Sequence, residues 1–368
     1  EDNLLGNIQQ LAQQVKEGTY RAKLVLRKWI PKIGGKLRPL GIPAIADKLL
    51  QLAVVKVLEA IYEQDFLPCS YGYRPRTGAH QAIKDLTGEL KSGKYHVVVE
   101  ADIKGFFNAI NHDLLMDMLA KRIDDKPFLK LIRKWLKAGI LETDGQVIHP
   151  LMGTPQGGNA SPILANIYLH YVLDEWFEET VRTYCTGHAY LCRYADDFVC
   201  AFQHDKDARR FYKALIQRLA RFGLEVAADK TQTIEFSHCK ALAKTKFDFL
   251  GFEFRWIVGR SRKPLLMRRT SRNKLRASLA NFKAWFQKHS GLAKKILFAI
   301  LNRKLVGYYN YYGVTGNSQS LNSFVYQVIS LLFKWLNRRS QRKSYKWEGF
   351  MELVKCFGIV KPRILHAL

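Results

Sequence analysis

Two adjacent aspartates set between apolar strands constrain this chain more than any other feature. In LCRYADDFVCAF (residues 191–202), Leu191–Tyr194 and Phe198–Phe202 read as strands, and Asp196 and Asp197 fall in the tight turn between them. Like charges held this close repel, and apolar flanks leave little water to screen them. A divalent cation relieves the repulsion. Mg²⁺ prefers oxygen ligands, typically one or two carboxylates completed by phosphate and water. The plainer alternative is a solvated acidic turn, since Asp is an ordinary turn residue.

A second acid has a similar setting. His96–Val99 in HVVVEADIKGFF reads as a β-branched strand, and Asp102 follows at its end, ahead of Phe106 and Phe107. An acid there is costly unless it is paired or binds a metal. Its plainer role is to cap the next helix. Between the two acidic runs lies GTPQGGNASP (153–162), where three glycines and two prolines leave little room for regular structure. Such a loop lets backbone approach a ligand closely, and Gln156 offers an amide. A buried helix, Ile163–Trp176, is expected behind it, because the apolar Leu164, Ile167 and Leu173 demand burial.

Charge divides the chain. The 368 residues hold 59 Lys+Arg against 32 Asp+Glu, a net charge of +27. From Arg255 onward, 24 basic residues face only Glu348 and Glu352, so +22 of that charge sits in the last 114 residues. A boundary near 255–265 follows, with a basic module beyond it. Apolar spacing in Leu275–Phe286, Ile296–Leu305 and Phe324–Leu336 predicts helices there. Ser271 is placed to cap the first; Gly291 and Gly307 are placed to follow the first and second. Trp285, Tyr308, Tyr309, Tyr311, Tyr312, Trp335, Tyr345 and Trp347 divide between core and surface, where aromatic rings beside bases suit nucleic acid. The plainer reading is a solvated basic face on a bundle, but a charge this large implies a polyanionic partner.

At 48% hydrophobic residues the chain is not disordered as a whole, and no run approaches the roughly 18–20 apolar residues of a membrane helix. The six cysteines read as free thiols in a reducing cytoplasm. Cys185, His188 and Cys192 match no common zinc spacing. In the first hundred residues, Leu4–Val15 and Ala46–Phe66 read as helices, the latter with Asp47 as a candidate cap, and Lys23–Ile30 as a strand. Lys32, Lys36 and Arg38 surround Gly34-Gly35, a basic turn able to grip a triphosphate or simply to face solvent. Arg74 and Arg76, beside Tyr71 and Tyr73, allow the same two readings.

Together these pieces resemble the reverse transcriptases, and more narrowly the group II intron-encoded reverse transcriptases, or maturases. The segments that carry the resemblance are IPKIGGKLRPLGIP (30–43), FLPCSYGYRPRTGAHQAI (66–83), DIKGFFNAINHD (102–113), GTPQGGNASPILANIYL (153–169), RYADDFV (193–199) and FDFLGFEF (247–254). They stand in the family's order and span about two thirds of the chain. The fold implied is α+β, a right-hand polymerase: fingers over 1–96, a palm of antiparallel sheet and helices over 97–255 with some fingers elements, and a basic helical thumb over 256–368. The resemblance implies that Asp102, Ile103, Asp196 and Asp197 bind two Mg²⁺ ions, with Mn²⁺ able to substitute. Asp102, Asp196 and Asp197 would be the catalytic residues, Asp197 in a supporting role. It implies nucleotide contacts at Lys32, Arg38, Arg74, Ile103, Phe106, Gln156 and Lys230. Phe106 would reject a 2′-OH, and Lys230 would stand near the pyrophosphate or, equally, in solvent. Nucleic-acid contacts are expected at Arg268, Arg269, Arg272, Lys274, Tyr308, Tyr309, Arg338 and Arg339.

The implied partners are an RNA template, a DNA or RNA primer, deoxynucleoside triphosphates and group II intron RNA, in a bacterial cytoplasm or nucleoid; no oligomeric state is implied. Family members usually carry further N-terminal sequence, and no cluster resembling an HNH endonuclease stands out. Asn108 stands where many members have Asp, with no catalytic consequence expected. The alternative roles are an RNA-binding splicing cofactor and a reverse transcriptase recruited to defence or repair.

Overall fold

The computed structural model describes residues 3–31, 37–240, 245–259, 261–338 and 344–367. The chain divides into two units, residues 1–82 with 97–233 and residues 83–96 with 234–368. In the first, β1 (Val25–Pro31) and β2 (Leu37–Ile42) pair antiparallel, with Leu26 opposite Ile42 and Pro31 opposite Leu37.

The strand that ends in the first acid, β3 (Val97–Asp102), is apolar on both faces: Val97, Val98 and Val99 are all buried. It therefore needs cover on both sides and lies inside a sheet. Two short strands, β4 (Ile140–Leu141) and β5 (Val147–Ile148), extend the first sheet in the order β2-β1-β4-β5. β6 (Ala189–Tyr194) and β7 (Asp197–Phe202) form a hairpin, and β8 (Gln232–Glu235) completes a second sheet ordered β6-β7-β3-β8. Behind it, Phe177, Phe202 and Phe211 pack ring to ring, with Phe211 on the helix Asp205–Arg221. Buried aromatics of this size place the sheet face firmly against the helices.

The helix expected at Ile163–Trp176 begins at Ser161–Leu169. It then runs through two wide-turn stretches, His170–Asp174 and Trp176–Val181, to Arg182–Tyr184. Asp47 is not a helix cap. Ala44 precedes the helix Ile45–Tyr62, and Asp47 is buried, accepting from Tyr20 Oη (2.7 Å) and the Lys23 amide (3.1 Å).

In the second unit, β9 (Lys246–Phe249), β10 (Phe252–Val258) and β11 (Pro264–Thr270) form an antiparallel sheet in the order β11-β10-β9. Four helices follow, Arg272–His289, Lys294–Tyr312, Ser318–Leu336 and Trp347–Phe357, around a core that includes Phe282, Leu301, Phe324, Leu332 and Phe350. Ser271 caps the first, its hydroxyl accepting from the Lys274 amide at 3.4 Å. Gly307 does not end the second helix, which continues to Tyr312. Buried Tyr308 and Tyr309 just beyond it offset the roughly 1 kcal/mol that an interior glycine costs. The charge boundary at 255–265 falls inside the β9–β11 sheet, while the units divide at 233/234. Among the described residues no helix is long and apolar enough to cross a membrane.

Candidate active site

The two acidic runs meet because β3 and β7 are neighbours. Their antiparallel register sets Asp102 directly opposite Asp197. Asp196 sits one residue away, in the two-residue turn that closes the β6–β7 hairpin, where Tyr194 faces Asp197. Ala195 occupies the other turn position with φ 57°, a left-handed conformation uncommon outside glycine. The neighbouring Gly72 presses against it: a Cβ on Gly72 would lie 2.5 Å from the Ala195 nitrogen, so the position demands glycine.

Three carboxylates at one edge perturb one another. Burial pushes the Asp197 carboxyl up to about 7, with Asp102, Glu100 and Asp196 adding to the shift. Burial raises Asp196 as well, its own backbone amide opposes that, and Asp102 adds to it. Lys230 donates to Asp102 Oδ2, and that hydrogen bond raises the lysine's pKa. The Ala227 amide donates to the Asp102 carbonyl at 2.8 Å, and Ile103 bridges Val226, so the segment bearing Lys230 is tied along the end of β3.

This donor set fits a hard divalent cation. It offers the carboxylate oxygens of Asp102, Asp196 and Asp197, and a cation among them would relieve the repulsion that adds to burial in pushing Asp197 up. Among the described residues no three Asp, Glu, His or Cys side chains close round a metal by themselves.

The glycine loop lies against the turn after Asp102. The Gly153 amide donates to the Ile110 carbonyl and the Thr154 amide to the Phe107 carbonyl, each at 2.7 Å. Gly153 has φ 88°, and a Cβ there would meet the Asn108 and Phe107 backbone at 2.9 Å. His112, buried and not singled out from sequence, pairs through Nε2 with the Gly153 carbonyl at 2.6 Å. Burial lowers the His112 pKa, so it bonds as a neutral ring donating through Nε2. The Gln156 carbonyl accepts from the Gly41 amide of β2 at 2.7 Å, which brings the loop beside the strand that carries Arg38.

Of the residues expected to hold nucleotide, Arg38 is exposed on β2 and its charge reaches Asp196, while Gln156 is half-buried in the loop. Ile103 is buried beside Asp102. Lys32 lies outside the described residues. Arg74 does not turn toward the acids: its guanidinium grips Glu63 at 3.0 and 3.1 Å, donates to the Leu67 and Ser70 carbonyls and stacks on Phe66. It is a structural clamp. Phe106 is only 1% exposed and packs on Phe107 and Tyr168, whereas Phe107 is half-buried, so the fully buried ring is the first of the pair and not the second.

The basic module sorts in the same way. Arg272, Lys274 and Arg338 are exposed. Arg269 is tied to Glu253. Arg268 is buried, donating to Thr87 Oγ1 and the Thr315 carbonyl, and is no surface contact. Tyr308 and Tyr309 belong to the core, the first stacked on Phe324 at 3.7 Å between centroids, the second donating to the Val360 carbonyl at 3.0 Å. Helical spacing marks such residues as buried or exposed only once the neighbouring helix is known. Arg339 lies outside the described residues.

Comparison with known proteins gives the family. The family described as "Reverse transcriptase (RNA-dependent DNA polymerase)" matches residues 30–254, and the "Group II intron, maturase-specific domain" matches residues 275–351. The group II intron-encoded protein LtrA of Lactococcus lactis subsp. cremoris is 30% identical over 401 residues, which cover 87% of this chain and 65% of LtrA. Protein YkfC of Escherichia coli (strain K12) is 37% identical over 223 residues, 52% of this chain and 58% of that protein. The chain thus spans less than two thirds of the length of either relative. Among solved structures, telomerase from Candida albicans in complex with a fragment of telomeric RNA aligns with a TM-score of 0.53 at 12% identity, over 92% of this chain and 62% of the telomerase. At that identity the likeness is one of fold, an α+β right-hand polymerase.

Proposed function

Because this chain belongs to the reverse transcriptase family and carries a group II intron maturase-specific domain, we propose that it copies RNA into DNA and binds the RNA of a group II intron. The observation that supports this most directly is the carboxylate set, Asp102 opposite Asp197 with Asp196 in the adjoining turn. The reaction adds a deoxynucleotide to a primer 3′-OH and releases pyrophosphate. What two bound Mg²⁺ ions supply is a lowered pKa at the attacking hydroxyl and charge stabilisation on the leaving phosphates. Asp102 and Asp196 hold them directly, Ile103 beside Asp102, with Asp197 in support. Mn²⁺ would serve in their place.

The other roles fall to residues around that edge. Lys32 and Arg38 grip the triphosphate, and Gln156 orients the nucleotide from the glycine loop. Phe106 limits space at C2′ from beneath. Lys230, once its bond to Asp102 is released, delivers a proton to the leaving pyrophosphate. Arg74 is left out, because its donors are committed to Glu63 and to backbone carbonyls. A cytoplasmic setting with RNA as partner accords with free thiols and a +27 chain.

The test is primer extension on an RNA template. Asp196→Asn is expected to abolish extension while RNA binding persists; extension at the wild-type rate would remove Asp196 from the catalytic set. The maturase-specific match over residues 275–351 favours a second role, support of intron splicing. The same variant, assayed for intron splicing, is expected to retain it, because the basic module is untouched.

A further inference from the structure

Arg193 stands in β6 directly before the Tyr194–Asp197 turn, and it is completely buried. A buried guanidinium is expensive to desolvate unless each of its donors is met. Here all five N–H groups have acceptors. Nε donates to Asp174 Oδ1 at 2.7 Å, and Nη2 donates to Asp174 Oδ2 and to Ser70 Oγ, the latter at 2.7 Å. Nη1 donates to Asn166 Oδ1 and to the Ala195 carbonyl, both at 3.1 Å. Asp174 is also completely buried, so the pair is anchored well inside the unit.

The last of these bonds singles Arg193 out. Ala195 is the left-handed residue of the turn that presents Asp196, and a non-glycine residue holds such a conformation only where its surroundings over-determine it. The constraints converge from two sides. Gly72 backs the Ala195 nitrogen, and the Gly72 carbonyl is in turn held by Asn166 Nδ2 at 2.7 Å. Arg193 holds the Ala195 carbonyl and also engages that same Asn166. Asp174 lies in one of the wide-turn stretches of the long helix, an irregularity found often at functional sites.

We propose that Arg193, braced by Asp174, is a positioning residue for the metal-binding carboxylates: it fixes the Ala195 carbonyl and so aims Asp196 at Asp102 and Asp197. The proposal rests on the polymerase reading above. It is not the claim that a buried ion pair stabilises the fold, because an apolar pair of similar volume often replaces such a pair without loss. Nor could lysine do the same work, since one ammonium lacks the planar fork that serves a carboxylate, a hydroxyl, an amide and a carbonyl together.

The full chain is compared with Arg193→Met/Asp174→Leu and with Arg193→Lys. Thermal unfolding reports the fold, calorimetric titration with Mn²⁺ alone reports the metal site, and primer extension reports kcat and KM. The double variant removes both buried charges but leaves the Ser70, Asn166 and Ala195 acceptors unmet, so it is expected to stay folded with a moderately lowered unfolding temperature. Its Mn²⁺ affinity and kcat are expected to fall by about 10–100-fold, the usual effect of losing a residue that orients metal ligands, while KM for nucleotide stays nearly constant. Arg193→Lys, with its charge kept, is expected to show the same loss in both. If either folded variant binds Mn²⁺ as wild type does, the proposal is overturned and the pair is structural. A wild-type protein that binds Mn²⁺ but extends no primer would end the polymerase reading alone, and the Mn²⁺ comparison would still decide the role of Arg193.

Discussion

Phe106 places two demands on one ring. It lies four residues after Asp102, where the family resemblance asks for a residue that rejects ribose, and it is also a core side chain packed on Tyr168. Phe106→Ala is therefore expected to lower stability by about 3–5 kcal/mol and, in the fraction that folds, to raise the ratio of kcat/KM for ribonucleotides over deoxynucleotides. Phe107→Ala removes a half-buried ring and should cost less in stability, with the ratio unmoved. A stability loss at Phe106 with an unchanged ratio would leave it a core residue only. The acids were legible in sequence because their setting is local: an acid at the end of an apolar strand needs a reason. The partners of Arg74, Arg268 and Tyr308 are not legible in the same way, for the opposite reason. Residue type says what a side chain can bind, but its direction is set by partners far along the chain, as with Thr87 and Thr315 for Arg268. Arg193 lies in the RYADDFV run, and a charged residue inside an otherwise apolar strand is the sequence signal that marks it.

At the scale of elements, periodicity found the helices of the basic module and missed the sheet ahead of them. FDFLGFEF carried the family resemblance, but its alternation was not read as strands, and the charge step drew the boundary through β10 and β11. Glu253 is what makes that sheet chemically distinctive. It is completely buried on β10, and its oxygens accept from Lys246 Nζ (2.7 Å) and Arg269 Nε (2.8 Å). Burial pushes its carboxyl up, but the Lys246 bond and the Arg269 charge outweigh that and hold it below the ordinary 4.5. A carboxylate with a depressed folded pKa contributes stability that is present above the unfolded value and is lost as pH falls through the folded one. Glu253→Gln leaves both cations without a carboxylate, but Lys246 reaches solvent, so the expected cost at neutral pH is about 1–3 kcal/mol, somewhat less the relief of its cross-strand neighbour Asp248, which burial and Glu253 both push up. Melting curves of the two proteins should converge as pH drops below 4.5. A gap that stays constant into acid would mean that Glu253 acts by packing and not by charge.

Over the whole molecule, the decisive property is where the positive charge lies: +22 of +27 in the last 114 residues. Some of it is spent inside the fold, at Arg268 and Arg269, so net charge overstates what a nucleic acid can reach. The exposed remainder has a telling location. Arg272, Lys274 and Arg276 sit exposed at the start of the helix Arg272–His289, whose first turn holds no acid. A helix N-terminus carries partial positive charge, so bases there are electrostatically unfavourable for the protein alone and favourable only with an anion nearby. Replacing all three by Gln should therefore leave the melting temperature unchanged or raise it, while RNA binding weakens. The salt dependence separates this from a general loss of affinity. Each phosphate contact adds about 0.7 to 0.9 to the slope of log K against log salt, so losing three contacts should flatten that slope by about 2 to 3. An unchanged slope in the triple variant would place the phosphate contacts of this module elsewhere, at bases such as Arg338 beside Trp335, and would show that the helix start is a solvated face.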